Sequence, residues 1–541
     1  EGMHRMPGQG FIKVDDWGQK QTLRRQLAAL ETANEQFPDL VAQLAAPSSL
    51  RIPVERRLSA KIDEETATRI QRIRERWPIS VVQGPPGTGK TYVASHAIKA
   101  ILDEDPFARI LVAAQSHHAL DNLLEGTARV HEAKEAGILL RSVSAARMAK
   151  VSPAVVPYLL KGQLDAIRAS VEHAAFTPGS SVELKALQKR WRKLVRERNA
   201  DLELLRRLPR AASVVFSTCA SSDPRSLALE RSSMMFDWVI VEEAARGWFT
   251  EMLVPLVQGI RWMLIGDQAQ LPAFGIEAAE ELFDADIRDE VTRSSGLSID
   301  AGHRKYLRYF ANLMDVAPPA HRDDPRERLL IQRRMHPDIA GLVSAYYDHK
   351  LESSPTANRE HGLSLPARLR KGGLIWLDTS SLGIAAHERG QSNLCEAHFL
   401  RFAISRHADP FPQHDEDIPA FAVLTPYKDQ LSVLERALSL PKGTAHTGDS
   451  YQGREAEVVL LSLVRNNAAT REREALGFLD AQRVNVLLSR ARRLLVIVGS
   501  LDHFGRFPDT HWRYIVDYVR STPHFVVHPG EVGFRWDEGS R

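Results

Sequence analysis

Two stretches carry residue types whose spacing could do chemistry on a phosphate chain. Gly84-Pro85-Pro86-Gly87-Thr88-Gly89-Lys90-Thr91 fits G-x-x-x-x-G-K-[ST]. Glycines at such spacing let backbone N–H groups turn inward around phosphates without Cβ clashes. Lys90 is expected to reach the β- and γ-phosphates, and the Thr91 hydroxyl to hold Mg²⁺. The second stretch is Glu242-Glu243, directly after the apolar run 238–241. One carboxylate there would sit by the metal, and its neighbour would orient and polarise an attacking water. The alternative for the first stretch is a Gly/Pro turn that fits by accident, but its flanks argue against that. Binding of a nucleoside triphosphate such as ATP is therefore expected.

The elements that must position these residues read as α/β. Residues 79–82 form a short apolar run ahead of the loop, and 92–102 carry an apolar helical stripe. Residues 109–114, 213–219, 238–241 and 262–265 read as further strands, alternating with helices, which predicts a doubly wound parallel sheet with ligands at its strand ends. The polar loop 115–122 sits at such an end and is either a ligand contact or a solvated loop with a helix cap. Its two histidines have no partner cluster, so they are not read as metal ligands. Residues 14–46 read as an N-terminal helix with a stripe of Leu23, Leu27, Leu30, Phe37, Leu40 and Leu44. Residues 145–210 read as a helical insertion whose charged second half is a solvated face. A second α/β unit has expected strands at 373–377, 421–424, 458–464 and 494–498, and it lacks a second phosphate loop. One phosphate loop and two α/β units imply one nucleotide in the cleft between them. Residues 275–328 remain an unassigned, mostly helical connection.

Composition sets outer bounds. A chain of 541 residues is too long for one ordinary core. A net charge of +3 gives no global basic field, so any nucleic-acid surface must be a local groove. Cys219 and Cys395 alone cannot build a disulfide framework, which suits a reducing, intracellular setting, cytoplasmic or nuclear/nucleoid. No apolar run reaches membrane-spanning length. The chain starts at Glu1 rather than Met, so further domains of a longer chain are expected.

Taken together, residues 58–500 resemble the superfamily 1 helicases, Upf-type branch, with the motifs in family order. The resemblance implies two RecA-like domains, with 1–50 as a stalk-like helical segment, 51–290 as the first domain and 291–541 as the second. It carries Gly84 to Thr91 over as the nucleotide loop. Ser116, His117 and Asn122 fall in a motif that contacts the nucleic-acid backbone, and Thr218 in the next such motif. Glu242 and Glu243 take the metal and water positions. Gln270, in Gly266-Asp267-Gln268-Ala269-Gln270-Leu271-Pro272, would sense the γ-phosphate. Gln332-Arg333-Arg334-Met335-His336-Pro337 resembles Q-Y-R-M-H-P, with Arg334 at the γ-phosphate. Thr425, Pro426 and Thr447 would grip the strand, Gly453 and Glu455 would lie at the nucleotide with Glu455 on the ribose, and Arg490 would be the arginine finger.

Departures from the pattern also matter. The family's Asp-Glu is Glu242-Glu243 here, which shifts a carboxylate by a methylene. The adenine-stacking Tyr is Arg333, and the adenine-reading Gln falls at Thr66. Together these suggest weak discrimination of the base. The family often carries a small β-barrel on a helical stalk before the nucleotide loop. Residues 14–46 resemble the returning stalk helix, with no barrel-length β segment ahead of them. The implied function is an NTP-dependent helicase or translocase on single-stranded DNA or RNA, moving 5′ to 3′ as a monomeric motor. The alternative is an NTP-gated clamp on nucleic acid or protein with weak hydrolysis and no unwinding.

Overall fold

The computed structural model describes residues 17–54, 62–131, 138–173, 181–196, 207–227, 236–286, 301–315, 323–357, 372–405, 421–451 and 453–536. Parts of the expected insertion and of the 275–328 connection, the boundary expected at 290/291, and Gln452 lie outside them.

Two all-parallel sheets organise these residues. The first runs Leu139–Arg141, Val214–Thr218, Ile110–Ala114, Phe236–Glu242, Gly259–Gly266, Ile79–Gln83, Arg326–Arg328 in spatial order. The second runs Ala445–Thr447, Phe421–Thr425, Ala456–Ser462, Ala491–Gly499, Leu374–Asp378, Val526–Val527. Both are covered on both faces, which is why their strands read as near-continuous apolar runs. Val81 packs into the core on one face and Val82 into the core on the other; Leu111 and Val112 divide the same way. The expected fold class, two doubly wound α/β units, is what the chain forms.

Register fixes the functional edge. Gln83 pairs with Gly266, Ala114 with Glu242, and Ala114 with Thr218. The phosphate loop, the Glu242-Glu243 turn, the 267–272 loop and the 115–118 loop therefore leave the same carboxyl edge of one sheet.

Some expectations change. The N-terminal segment is two helices, Trp17–Gln36 and Pro38–Ala45, broken where Pro38 starts the second. Leu23 and Leu27 are 56% and 58% exposed, whereas Ala29, Ala33, Leu40 and Leu44 are buried. The small alanine face allows closer approach to the first unit, and Arg25 holds the contact with an ion pair to Asp223 at 3.0 Å. The insertion contains helices Leu160–His173 and Val182–Arg196, which touch each other. Helix Tyr309–Asp315 packs into the first unit's core, and Arg326–Arg328 adds a strand beside the phosphate-loop strand. These residues therefore belong with the first sheet, although they follow the boundary expected at 290/291. Short strands such as 326–328 offer too few residues for a period-2 pattern to show. Among the described residues no helix is long and apolar enough to cross a membrane.

The second unit's core contains an unusual group. Glu396 is buried, accepts Ser462 Oγ at 2.7 Å and Val464 N at 2.8 Å, and burial pushes its carboxyl from 4.5 up to about 8. Between those values the folded chain holds a proton that the unfolded chain has lost. This contribution to stability is present below about 4.5 and is lost as pH rises to about 8. Chemical unfolding across that window should show wild-type stability declining relative to Glu396→Gln, whose stability should not follow this titration.

Candidate active site

The phosphate loop starts from its strand with Gly84 N donating to Gly266 O at 3.0 Å. Gly87 and Gly89 hold φ of +75° and +83°, the left-handed region that glycine enters freely. Gly89 is the cap of helix Lys90–Glu104, so the loop's free N–H groups and the helix N-terminus face one hollow. Pro85 O accepts the Thr88 hydroxyl at 2.7 Å, which closes the loop on itself. Lys90 Nζ donates to Gly84 O. Burial lowers the Lys90 ammonium's pKa, opposed by Asp267 and Glu242.

That hollow is lined by both units. Pro86, Lys90, Thr91, Glu242, Glu243, Asp267 and Gln270 come from the first, and Arg334, Gly453 and Arg490 from the second. It therefore gathers all six residues expected to act catalytically. Arg333 N donates to Gly87 O at 2.8 Å, so the 332–337 segment is hydrogen-bonded to the phosphate loop itself. A carboxylate one residue earlier than Glu243 also fits its expected part. Glu242 is buried, and burial together with Glu243 raises its carboxyl to about 8, against the pull of Lys90. Its Oε2 has no hydrogen-bond partner among the described residues. An acceptor oxygen left over in a polar hollow that Thr91 also lines suits a hard divalent cation, which takes oxygen ligands.

The other groups expected to act catalytically rest on protein partners. Gln270 Nε2 donates to Asp267 Oδ2 at 2.6 Å, and the Tyr347 hydroxyl donates to the same oxygen at 2.7 Å. Arg334 Nε pairs with Glu455, whose carboxyl burial would raise but which Arg334 and Arg492 hold below its usual range. Arg490 is buried and donates to Val486 O at 2.8 Å, Arg454 O at 3.1 Å and Ser489 Oγ at 2.9 Å. Burial and the neighbouring Arg334 bring its guanidinium down to about 9. Glu455, expected at the ribose, is here the partner of Arg334.

Away from the phosphates, Arg333 lies 3.7 Å from Asp63, the cap of helix Glu64–Glu75. Thr66 is buried, and its hydroxyl donates to Asp63 Oδ2 at 2.8 Å. The Tyr92 phenol has its pKa raised by burial and feels both Asp63 and Arg333, so these side chains share one corner beside the phosphate loop.

The residues expected on the strand are dispersed. Ser116 Oγ donates to Glu243 Oε2 at 2.9 Å; Asn122 Nδ2 lies 3.2 Å from His118 Nε2, and Asn122 and His118 line the shared hollow. His117 Nδ1 lies 2.9 Å from Arg141 Nη2, and burial lowers its pKa, as does Arg141. Thr218 and Thr425 are buried. Pro426 faces a small hollow with Leu271, Gly448 and Arg483 at the seam between units. Thr447 is half-buried and hydrogen-bonded to Ser450. Asp267, Tyr347, Arg246 and His118 were not singled out from sequence. Asp267 sits in a recognised motif, but Tyr347 lies in a short 3₁₀ turn with no local signal, and only folding brings its hydroxyl to Asp267.

Comparison with known proteins agrees with this geometry. Two family models, each described as AAA domain, match residues 61–178 and 179–277 for one and 309–502 for the other. The chain is 25% identical over 511 residues to Regulator of nonsense transcripts 1 of Caenorhabditis elegans, covering 90% of this chain and 42% of that protein. It is 26% identical to ATP-dependent helicase NAM7 of Saccharomyces cerevisiae, covering 90% of this chain and 46% of that one. To DNA polymerase alpha-associated DNA helicase A of the same yeast it is 26% identical, covering 79% and 63%. The chain thus spans from under a half to under two thirds of the length of these curated relatives.

A Cβ on Gly87 would lie 2.5 Å from Arg334 Cβ, at a φ that L side chains rarely adopt. Gly87→Ala should weaken nucleotide binding about tenfold or more. Titration with a fluorescent nucleotide checks this, with Gly530→Ala, which meets no atom within 4 Å, as the neutral control.

Proposed function

This chain belongs to the superfamily 1 helicases, Upf-type branch, and on that premise we propose that it hydrolyses a nucleoside triphosphate to move 5′ to 3′ along single-stranded nucleic acid. The observation that carries this reading is the shared hollow, lined by Lys90, Glu242, Glu243 and Gln270 from one unit and Arg334 and Arg490 from the other. Phosphoryl transfer needs positive charge at the γ-phosphate as charge develops there. Here that charge comes from the opposite side of a cleft, so catalysis requires the units to close. Closure moves the strand-binding surfaces of the two units past each other, which is how hydrolysis becomes movement.

Within this reading each residue has a task. Lys90 and the loop N–H groups hold the β- and γ-phosphates. Thr91 and Glu242 would hold Mg²⁺, which when bound neutralises phosphate charge. Glu243 orients the attacking water. Gln270 leaves Asp267 to meet the γ-phosphate, and Arg334 leaves Glu455 for the same site. Arg490, which lines the same hollow, is the arginine finger. The strand contacts belong mainly to phosphates and sugars, with Pro426 and Thr447 at the second unit's edge, so sequence preference is loose. The relatives include both a regulator of nonsense transcripts and a DNA helicase, and both RNA and DNA are therefore candidates. The NTP-gated clamp remains the second reading, kept by the Glu242 substitution; a mere binder has little use for the full hydrolytic set.

Phosphate release should rise with single-stranded DNA or RNA and vanish in Lys90→Ala and Glu243→Gln. Arg490→Ala should lower kcat by about 10³ or more. A nucleotide-dependent change in binding with no hydrolysis would favour the clamp. Because Arg333 and Asp63 occupy the corner where the family reads adenine, ATP, GTP and CTP should be hydrolysed at comparable rates. A strong preference for ATP in the same assay would overturn that expectation.

A further inference from the structure

The loop after strand Ile110–Ala114 and the turn after strand Phe236–Glu242 are locked together. Ser116 Oγ donates to Glu243 Oε2 at 2.9 Å while accepting from Ala119 N at 3.1 Å as the cap of helix His117–Val130. Arg246 Nη1 lies 3.3 Å from each Glu243 oxygen. Gln115 packs so closely on the turn that a Cβ on Gly247 would lie 2.3 Å from its Nε2. Glu243 itself holds φ +54°, a conformation uncommon for a residue with a side chain. Such backbone persists only where the surroundings over-determine it.

A serine hydroxyl has a single proton to donate. Here it is given to Glu243, the carboxylate assigned to the attacking water. A backbone phosphate of a bound strand, the partner expected for Ser116, accepts only and would compete for the same proton. We propose that Ser116 is a positioning residue that couples strand binding to hydrolysis. Without a strand its hydroxyl holds Glu243 Oε2. When a strand phosphate accepts that hydroxyl instead, Oε2 is left to the water. No covalent bond changes; one donor exchanges one anionic acceptor for another. Arg246 stays on the carboxylate throughout and keeps it in the cleft. The coupling is local, because Ala114 and Glu242 are register partners on adjacent strands. It rests on the helicase reading and adds to it the residue through which the strand acts on the chemistry.

The test is steady-state hydrolysis by the whole chain, with and without saturating oligo-dT or oligo-U, in Ser116→Ala, Ser116→Gly and Ser116→Thr. Glycine at a helix cap costs only a few tenths of a kcal/mol, so it removes the hydroxyl with little loss of fold; threonine keeps the hydroxyl. Thermal melting of each variant controls for folding. Ser116→Ala and Ser116→Gly should raise strand-free kcat roughly tenfold at unchanged nucleotide KM and shrink the stimulation ratio by the same factor. Ser116→Thr should restore wild-type behaviour. If wild type is stimulated but the strand-free rate of Ser116→Gly is unchanged or lower, the coupling is overturned while the helicase reading stands. If neither polymer stimulates wild type, the helicase reading fails and the coupling fails with it.

Discussion

Everything at the cleft depends on the register of one parallel sheet. Gln83 opposite Gly266, and Ala114 opposite Glu242, bring four loops to a single edge without any long-range adjustment. A one-residue slip would reverse which side chains face each core, and both cores are filled. The apolar packing on both faces thus holds the polar loops in place. The chemistry sits where the sheet stops and the apolar requirement ends.

Across the edge, a set of polar contacts joins the two units. The Tyr347 hydroxyl reaches Asp267, Asn485 Nδ2 donates to Ala269 O at 2.7 Å, and Gln482 Nε2 donates to Gln268 O at 2.8 Å. Each contact falls on the loop that also carries Gln270. Such contacts can be exchanged at modest cost, because a hydrogen bond lost to one partner is recovered with another. A seam built this way can open and close repeatedly.

The cleft's cations are at rest on protein groups. Lys90 points to the Gly84 carbonyl, Arg334 to Glu455, and Arg490 to two carbonyls and a serine. Burial penalises the charges of Lys90 and Arg490 and lowers their pKa values. A triphosphate supplies the missing negative charge, so these side chains have reason to leave their present partners for it. The site is charged in advance for a polyanion.

The sequence by itself determined the fold class and singled out residues that fold into one shared hollow. Gly84 to Thr91 and Glu242-Glu243 are contiguous, and their chemistry needs those residue types next to one another, so local spacing suffices. Strands buried on both faces announce themselves as apolar runs. Tertiary structure decided what no local pattern encodes. Leu23 and Leu27 look like core and are exposed, because the helix docks through Ala29 and Ala33. Arg326–Arg328 looks like linker and completes the first sheet. Ser116 reads as a strand contact, yet its hydroxyl rests on Glu243, more than a hundred residues away in the chain. Tyr347 carried no signal at all. In each case the deciding contact joins residues far apart in sequence, and its partner is fixed only once both sheets have set their registers.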